Sequence, residues 1–228
     1  MHATLDMKGG ISVSANLREA FKTLPLLQKR HAKATVLIDT ATMLVPDEEF
    51  DTDEASAIFD HAFSGYEQDA KLYCEMPRLH TVALFAVNKD IQTVLNDHFD
   101  QVEYMPVCLP VWQQFSQRED GPRQRLYCYF HDDKLDIFAF SKHRFKFCNT
   151  FSATHSHDAL YYLLSAFTQL GLKAERDEVI LSGVTPHQKW IIDHLSKYVD
   201  RSSIFKTLNQ TLPDTFPLDL HLLSDELS

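Results

Sequence analysis

The stretch from residue 125 to residue 182 constrains the fold most, because its apolar periodicity changes from strands to a helix and back. Residues 125–130, 135–140 and 145–151 are rich in aromatic and aliphatic residues and are separated by short polar turns. This pattern predicts a meander of three antiparallel strands. Residues 137–140 are apolar on both faces of the middle strand, which fits either a strand covered on both sides or a patch that meets a partner.

A helix and a further strand follow the meander. Ser156 is predicted to be the N-cap of the helix, and Gly171 is predicted to end it. The core-facing stripe of this helix is expected to contain Leu160, Leu163, Leu164, Phe167 and Leu170. Residues 178–182 predict a short buried strand. Strands and helices in this order predict an α/β fold.

The first half of the chain predicts shorter elements. Residues 2–7 predict a weak strand, and Asn16 followed by Glu19 predicts a capped helix that Pro25 disturbs or ends. Strands are also predicted over residues 34–40, 71–75, 81–87 and 102–108, and helices over residues 53–63, after the N-cap Asn88, and over residues 110–115.

The C-terminal part predicts one more helix and one more strand. Thr185 and Pro186 are predicted to open the helix as N-cap and first residue. Its buried stripe is expected to comprise Trp190, Ile191, Leu195 and Tyr198. Residues 218–223 predict a final strand.

A polar linker suggests where the chain divides. Residues 117–124 contain Gly121 and Pro122 and have the composition of a linker. We therefore expect one domain over residues 1–120 and a second over residues 121–228.

Composition argues against nucleic acid and membranes as partners. The formal net charge is −10, whereas proteins that bind nucleic acid present a basic face. No apolar run approaches the roughly 18 residues of a membrane span. Local basic groups are found in two clusters: Arg118, Arg123 and Arg125, and Lys142, His143, Arg144 and Lys146. Their simplest interpretation is a solvated loop and an exposed hairpin edge.

The cysteines predict a reducing environment. Cys74, Cys108, Cys128 and Cys148 stand far apart in apolar surroundings, and no leader-like segment precedes them. Such spacing argues against a zinc site, which needs close ligand pairs, and favours a cytoplasmic location.

Several segments together carry a resemblance to a known family. They are residues 44–50 (LVPDEEF), the meander over residues 126–151, residues 158–164 (DALYYLL) and residues 217–220 (PLDL). The sequence resembles a bacterial domain family of unknown function with an actin-like ATPase (ribonuclease-H-like) fold. That family is similar to the cytoplasmic domains of the type II secretion L protein and the type IV pilus M protein.

The resemblance implies an α/β protein of two actin-like subdomains with mixed sheets flanked by helices. The first subdomain, residues 1–120, is expected to be modified by inserted strand and helix units. Family members begin with an additional strand pair, whereas this chain begins near what corresponds to the third strand. Two interpretations stay open: the first subdomain lacks its opening hairpin, or its strand order differs. The resemblance supplies no catalytic residues.

The turn after the first meander strand decides whether a nucleotide is expected. In nucleotide-using members of this superfamily the corresponding turn is an acidic, glycine-rich phosphate loop. Here residues 129–134 contain no glycine, and the whole chain has only six. A nucleotide-binding interpretation would have to use His131, Asp132, Asp133, Ser182 and Gly183. We expect no cofactor.

Two small clusters could ligate a transition metal. One contains His155, His157 and Asp158, and the other contains His131, Asp132 and Asp133. A cation is disfavoured at the N-terminus of a helix, where the first cluster is predicted to lie. We therefore predict no metal, with a metal-dependent hydrolase as a minor alternative.

The sequence predicts a non-catalytic actin-like scaffold, a pseudo-ATPase that acts as a protein-interaction module. Its partner is expected to be another protein or its own copy, and Tyr161 and Tyr162 supply candidate aromatic surface on a helix. The main alternative is a degenerate nucleotide-binding domain that takes ATP and magnesium.

Overall fold

Helices and strands alternate along the chain in a computed structural model that describes residues 3–29, 31–118, 121–184, 187–205, 217–220 and 222. The strands, in chain order, are β1 (Lys33–Ile38), β2 (Thr42–Pro46), β3 (Ala70–Met76), β4 (Thr81–Val87), β5 (Gln101–Pro106), β6 (Arg125–His131), β7 (Lys134–Ser141), β8 (Arg144–Ser152), β9 (Glu178–Gly183) and β10 (Ser202–Ile204). The helices are α1 (Val13–Thr23), α2 (Pro25–Gln28), α3 (Ala55–Ala62), α4 (Lys89–Asn96), α5 (Leu109–Ser116), α6 (Ser156–Gln169) and α7 (Gln188–Leu195). Single 3₁₀ turns lie at Asp47–Glu49 and Pro77–Leu79. The predicted α/β class is confirmed.

The three-strand meander belongs to a five-stranded sheet with the order β10-β9-β6-β7-β8. β6, β7 and β8 pair antiparallel as predicted, whereas β9 pairs in parallel with β6, and β10 with β9. Parallel neighbours need crossover connections, and α6 and α7 lie in those connections. The C-terminal ends of β6 and β9 therefore lie side by side at one edge of the sheet.

Both faces of this sheet are covered. Ile137 and Ala139 on one face of β7 join a buried cluster with residues of α6 and α7. On the other face, Phe138 stacks on Trp112 of α5 with ring centroids 5.3 Å apart. Phe140 also lies on this face and is buried. Of the two interpretations of this apolar strand, the covered core is the correct one.

The described residues group into two compact units. The first consists of Met1–Thr42, Asp51–Cys74 and Leu84–Pro106, and the second of Met43–Phe50, Glu75–Ala83 and Val107–Ser228. In the first unit, β1 and β5 pair in parallel, and Phe21 of α1 stacks on His98 with ring centroids 3.8 Å apart. Strands β2, β4 and β3 form a three-stranded sheet in that order. The domain boundary at residue 120 stays a prediction.

Predictions for the N-terminal half were partly wrong. Residues 3–7 form no strand, and α1 is capped by Ser12, whose hydroxyl accepts a hydrogen bond from the Ala15 amide at 3.2 Å. Asn16 instead lies buried inside the first turn and accepts from the Lys8 amide at 2.9 Å. The end of α1 before Pro25 is confirmed.

The N-cap predicted before α4 is confirmed. The Asn88 carboxamide oxygen accepts hydrogen bonds from the amides of Asp90 at 3.0 Å and Ile91 at 3.4 Å. These are the first-turn donors that a helix leaves without internal partners.

Four predictions for the C-terminal half need correction or lie outside the described residues. His155 rather than Ser156 is the N-cap of α6, while Gly171 ends this helix as predicted, with a φ of 69°. Tyr198 is 59% exposed and does not belong to the buried stripe of α7. Residues 218–220 and 222 are helical, so the predicted final strand is wrong. The predicted helix opening at residues 185–186 lies outside the described residues.

Within the described part of the chain, none of the helices combines the length and the apolar character needed to cross a membrane.

Candidate functional site

The five residues predicted to hold a nucleotide lie at one edge of the five-stranded sheet. The register of β6 and β9 places Phe130 opposite Gly183, and that of β6 and β7 places His131 opposite Lys134. Asp132 and Asp133 form the turn between β6 and β7. The fold thus brings the two predicted segments together inside the second compact unit.

The turn between β6 and β7 has a tight geometry that glycine usually supplies. Asp132 and Asp133 both adopt left-handed backbone conformations, with φ of 41° and 59°. Two successive positive φ values define the type I′ hairpin turn, and aspartate tolerates this region better than most residues. The Asp133 carbonyl accepts a hydrogen bond from the Ala153 amide at 2.7 Å, which ties the turn to the segment before α6.

Gly183 is required by a close approach between two strands. Its φ is 77°, and a Cβ atom at this position would lie 2.0 Å from the carbonyl oxygen of Phe130. The next amide, that of Val184, donates a hydrogen bond to the same carbonyl at 3.2 Å. The glycine therefore serves the contact between β9 and β6.

The Ser182 side chain is fully engaged inside the core. Ser182 is buried, and its hydroxyl donates a hydrogen bond to the Cys128 carbonyl at 2.8 Å. A serine held in this way pins β9 to β6 and presents no hydroxyl to a ligand.

The space between these segments is small. The cavity lined by residues of the β6–β7 turn, by Ala153 and Thr154 before α6, and by residues just after β9 has a volume of about 30 Å³. This is about the volume that one water molecule occupies in the liquid, whereas small-molecule sites are typically about 300–1,000 Å³. The cavity as it stands has no room for a polyphosphate.

A buried polar network lies next to the turn between β6 and β7. Asp136 of β7 is 2% exposed, and one of its carboxylate oxygens lies 3.0 Å from His131 Nε2. Its other oxygen accepts a hydrogen bond from the Thr150 hydroxyl at 2.6 Å. A buried carboxylate must have such partners, because an unpaired buried charge is strongly destabilising. The available sequence signal for this network is that Asp136 is an acidic residue within the otherwise apolar run of residues 135–140.

A second buried pair extends this network. The Tyr129 hydroxyl donates a hydrogen bond to Asp219 at 3.0 Å, and the Tyr129 ring stacks on His131 with centroids 4.8 Å apart. Burial raises the pKa of Tyr129, and it also raises the pKa of Asp219. Neither residue was a sequence-based candidate, although Asp219 is the polar residue within the apolar run of residues 218–220.

The other candidate metal ligands have different surroundings. His155 is the residue before α6, and Asp158 lies in the first helical turn. The His157 ring packs against the Trp190 ring with centroids 4.5 Å apart. His131 Nε2 faces the Asp136 carboxylate, as described above, which gives this histidine a structural partner. The prediction that the protein holds no metal stays a prediction.

All four cysteines are free thiols. Burial raises the pKa of Cys74 to about 11 and also raises the pKa of Cys128 well above its ordinary value. Because the thiolate is the reactive form, these side chains behave as small apolar residues at neutral pH.

Comparisons with solved structures support the fold. A Bacteroides thetaiotaomicron protein of unknown function with an actin-like ATPase fold is similar over 96% of this chain and 83% of its own, with 23% identity and a TM-score of 0.84. A PilM–PilN type IV pilus biogenesis complex contains a chain matched over 100% of this chain and 90% of its own, with 10% identity and a TM-score of 0.54. The cytoplasmic domain of EpsL from the Vibrio cholerae type II secretion system matches over 94% and 79%, with 14% identity and a TM-score of 0.42. The predicted actin-like fold is thereby confirmed on the first of these structures.

Sequence comparisons assign the family. No curated protein matches the sequence. The family model described as "Protein of unknown function (DUF3822)" matches residues 2–201, which is most of the chain. The chain therefore belongs to this family, as its resemblance to a family of unknown function with an actin-like fold predicted.

Proposed function

We propose that this protein is a non-catalytic actin-like scaffold, a pseudo-ATPase of the cytoplasm, that binds a protein partner or a second copy of itself. The observation that carries the proposal is the packing of Gly183 against the Phe130 carbonyl. This contact occupies the place between two strand ends where a phosphate would need backbone donors.

Hydrogen-bond accounting supports the proposal. A phosphate site needs several backbone amides that point at the ligand. Here the Val184 amide donates to Phe130 and the Ala153 amide donates to Asp133, so both donors are used within the protein. A nucleotide could take these donors only if two internal hydrogen bonds were broken.

Electrostatics act in the same direction. Asp132 and Asp133 form the turn and expose their carboxylates, and Asp136 is buried nearby on β7. The negative charges of these carboxylates repel a polyphosphate. A magnesium ion could bridge the two, but a cavity of about 30 Å³ leaves little space for the ion with its waters.

Surface features favour a role in binding proteins. Tyr161 on α6 is 67% exposed, and Tyr198 beyond α7 is also exposed, so the second unit presents large aromatic side chains to its surroundings. One structure with a similar fold is a component of a PilM–PilN complex, which makes assembly with another protein a reasonable role for this fold. The four free thiols suit a reducing compartment.

Calorimetric titration and thermal unfolding with Mg·ATP test the proposal. A ligand present at 100 times its dissociation constant stabilises the native state by about 2.7 kcal/mol. For a chain of this size that corresponds to roughly 5–10 °C in Tm. We expect neither binding heat nor a shift in Tm.

Micromolar binding would overturn the proposal in favour of the degenerate nucleotide-binding alternative. Lys134→Ala would then locate the site, because Lys134 lines the small cavity. Lys197→Ala, which removes an exposed cation elsewhere on the second unit, is the matched control.

A further inference from the structure

A second depression on the same compact unit is lined by four cations together with polar and apolar residues. It has a volume of about 590 Å³, which lies within the usual range of binding sites. We call it the basic cleft, and we define it by the cations Arg125, Lys142, Arg144 and Lys146. Arg125 also lies 3.3 Å from the Glu178 carboxylate, and the buried residues Phe140 and Leu172 are part of the lining. The basic cleft is far larger than the cavity at the β6–β7 turn.

The cations of the basic cleft lie on neighbouring strands of one sheet: Arg125 on β6 and the other three on the β7–β8 hairpin. Lys142 lies in the β7–β8 turn, where its φ of 53° and that of 58° at His143 form a second type I′ turn. Arg144 and Lys146 follow on β8 and are exposed. Positive charge is thus concentrated at one place on a chain whose net charge is −10.

An acidic turn lies next to the basic cleft in the same unit. Asp47, Glu48 and Glu49 form the 3₁₀ turn after β2, and all three are exposed. Asp47 and Glu48 line a depression of about 230 Å³ that also contains Arg144, a residue of the basic cleft. Opposite charges therefore stand side by side on one surface.

Adjacent patches of opposite charge are complementary to themselves. When two copies face each other across a two-fold axis, the acidic patch of each copy can meet the basic patch of the other. A nucleic acid would approach against the net charge of −10, whereas the acidic turn of a second copy is a short segment that supplies the complementary charge.

From these observations we propose that the basic cleft binds the acidic turn, Asp47–Glu49, of a second copy of this chain. This inference rests on the self-association part of the proposed function, not on the closed phosphate site, and names the partner as a second copy of the chain. Each dimer would contain two equivalent contacts of acidic turn with basic cleft. Both contacts are electrostatic, so they should weaken as salt shortens the Debye length from about 8 Å at 0.15 M to about 3 Å at 1 M.

Sedimentation equilibrium of the full chain with paired charge reversals tests this inference. We expect a concentration-dependent dimer at about 0.15 M salt that weakens at about 1 M salt. Arg144→Glu/Lys146→Glu should raise the dimer dissociation constant about tenfold or more, because like charges then meet across both contacts. Glu48→Lys/Glu49→Lys should raise the dimer dissociation constant by a similar factor, because a basic turn then faces the basic cleft in both contacts.

An equimolar mixture of the two double variants is the decisive arm. One variant has an acidic cleft and an acidic turn, and the other has a basic cleft and a basic turn, so both contacts of the mixed dimer pair opposite charges again. We expect the mixture to dimerise at least as well as the wild type, with one copy of each variant per dimer. Lys189→Glu/Lys197→Glu changes the net charge equally at exposed positions on and just after α7 and should leave the dimer unaffected.

Three results would overturn the inference: a wild-type chain that stays monomeric, a dimer that neither double variant weakens, or a mixture that fails to restore association. Circular dichroism of each variant establishes that it is folded. Binding of Mg·ATP at the β6–β7 turn would contradict the proposed function and leave this inference standing, so the two failures are distinguishable.

Discussion

Replacing Gly183 by alanine should be unusually damaging for so small a change. The residue has a φ of 77°, and the added Cβ would lie 2.0 Å from the carbonyl oxygen and 2.9 Å from the carbonyl carbon of Phe130. Both atoms belong to the backbone of β6, which pairs with β9 at this position. The clash can therefore be relieved only by moving two neighbouring strands apart.

The expected loss of unfolding free energy has three sources. A left-handed alanine costs about 1–2 kcal/mol. Separating the strands weakens the hydrogen bond from the Val184 amide to the Phe130 carbonyl, worth about 0.5–1.5 kcal/mol. Displacing backbone in a packed core adds about 1–3 kcal/mol. We expect Gly183→Ala to lose about 3 kcal/mol or more, which lowers Tm by roughly 2–4 °C for each kcal/mol.

Gly171→Ala is a matched control in the same unit. Gly171 also has a positive φ, 69°, but nothing lies within 4 Å of the position its Cβ would take. Urea unfolding of the two variants should give a loss of about 1–2 kcal/mol for Gly171→Ala and a clearly larger one for Gly183→Ala. Equal losses would refute the assignment of Gly183 to the close approach of β9 and β6.

Three further predictions concern buried ionisable groups. Asp177→Ala should destabilise by about 2–4 kcal/mol at pH 7, because Asp177 accepts hydrogen bonds from two backbone amides and from Arg176. The Arg176 hydrogen bond lowers the pKa of Asp177, so the stabilisation that this carboxylate provides should shrink as the pH falls below 3.8. Urea unfolding of wild type and variant measures it, and an equal difference in unfolding free energy at pH 7 and pH 3 would contradict this. Burial raises the pKa of Asp219, so the ionised carboxylate costs stability above pH 3.8. Asp219→Asn can still accept the hydrogen bond from Tyr129, so this variant should be more stable than the wild type above pH 3.8 and equally stable below it. A loss of stability at pH 7 would count against that explanation. Burial likewise raises the pKa of Cys128, so mass spectrometry after thiol labelling should find this residue modified only in unfolded protein, and rapid native labelling would be inconsistent with its position in the core.

The second half of the chain was the more predictable part, and the reason is local. Strands β6, β7 and β8 carry long apolar runs separated by two-residue polar turns, and a hairpin of this kind sets its own register. Helix α6 has a wide apolar stripe and a terminating Gly171, so both the helical conformation and its C-terminal end could be predicted from the sequence.

Predictions failed where long-range contacts decide. Residues 218–223 form a short apolar run that periodicity alone cannot assign to a strand or a helix. Its Asp219 side chain meets Tyr129 from a distant part of the sequence. The three-residue strand β10 is defined only by its pairing with β9 and has no pattern of its own.

The sequence supplied five candidate residues, and the structure brings their two segments together at the C-terminal ends of β6 and β9. The packing around these residues is apparent only in three dimensions. The absence of glycine from residues 129–134 was the sequence signal against a phosphate loop. The contact between Gly183 and Phe130, and the support of His131 by Asp136, depend on strand register and cross-strand diagonal neighbours. Neither relation can be derived from the spacing of the residues along the chain.

The most direct test is an amide NMR titration with Mg·ATP, which monitors the backbone N–H groups of Ala153, Gly183 and Val184. If the C-terminal ends of β6 and β9 stay packed against each other, these three resonances keep their chemical shifts at millimolar nucleotide, and the hydrogen exchange of these amides stays slow. Saturable shifts of the same resonances at micromolar nucleotide would mean that the two strand ends open to hold phosphate, which contradicts the scaffold assignment.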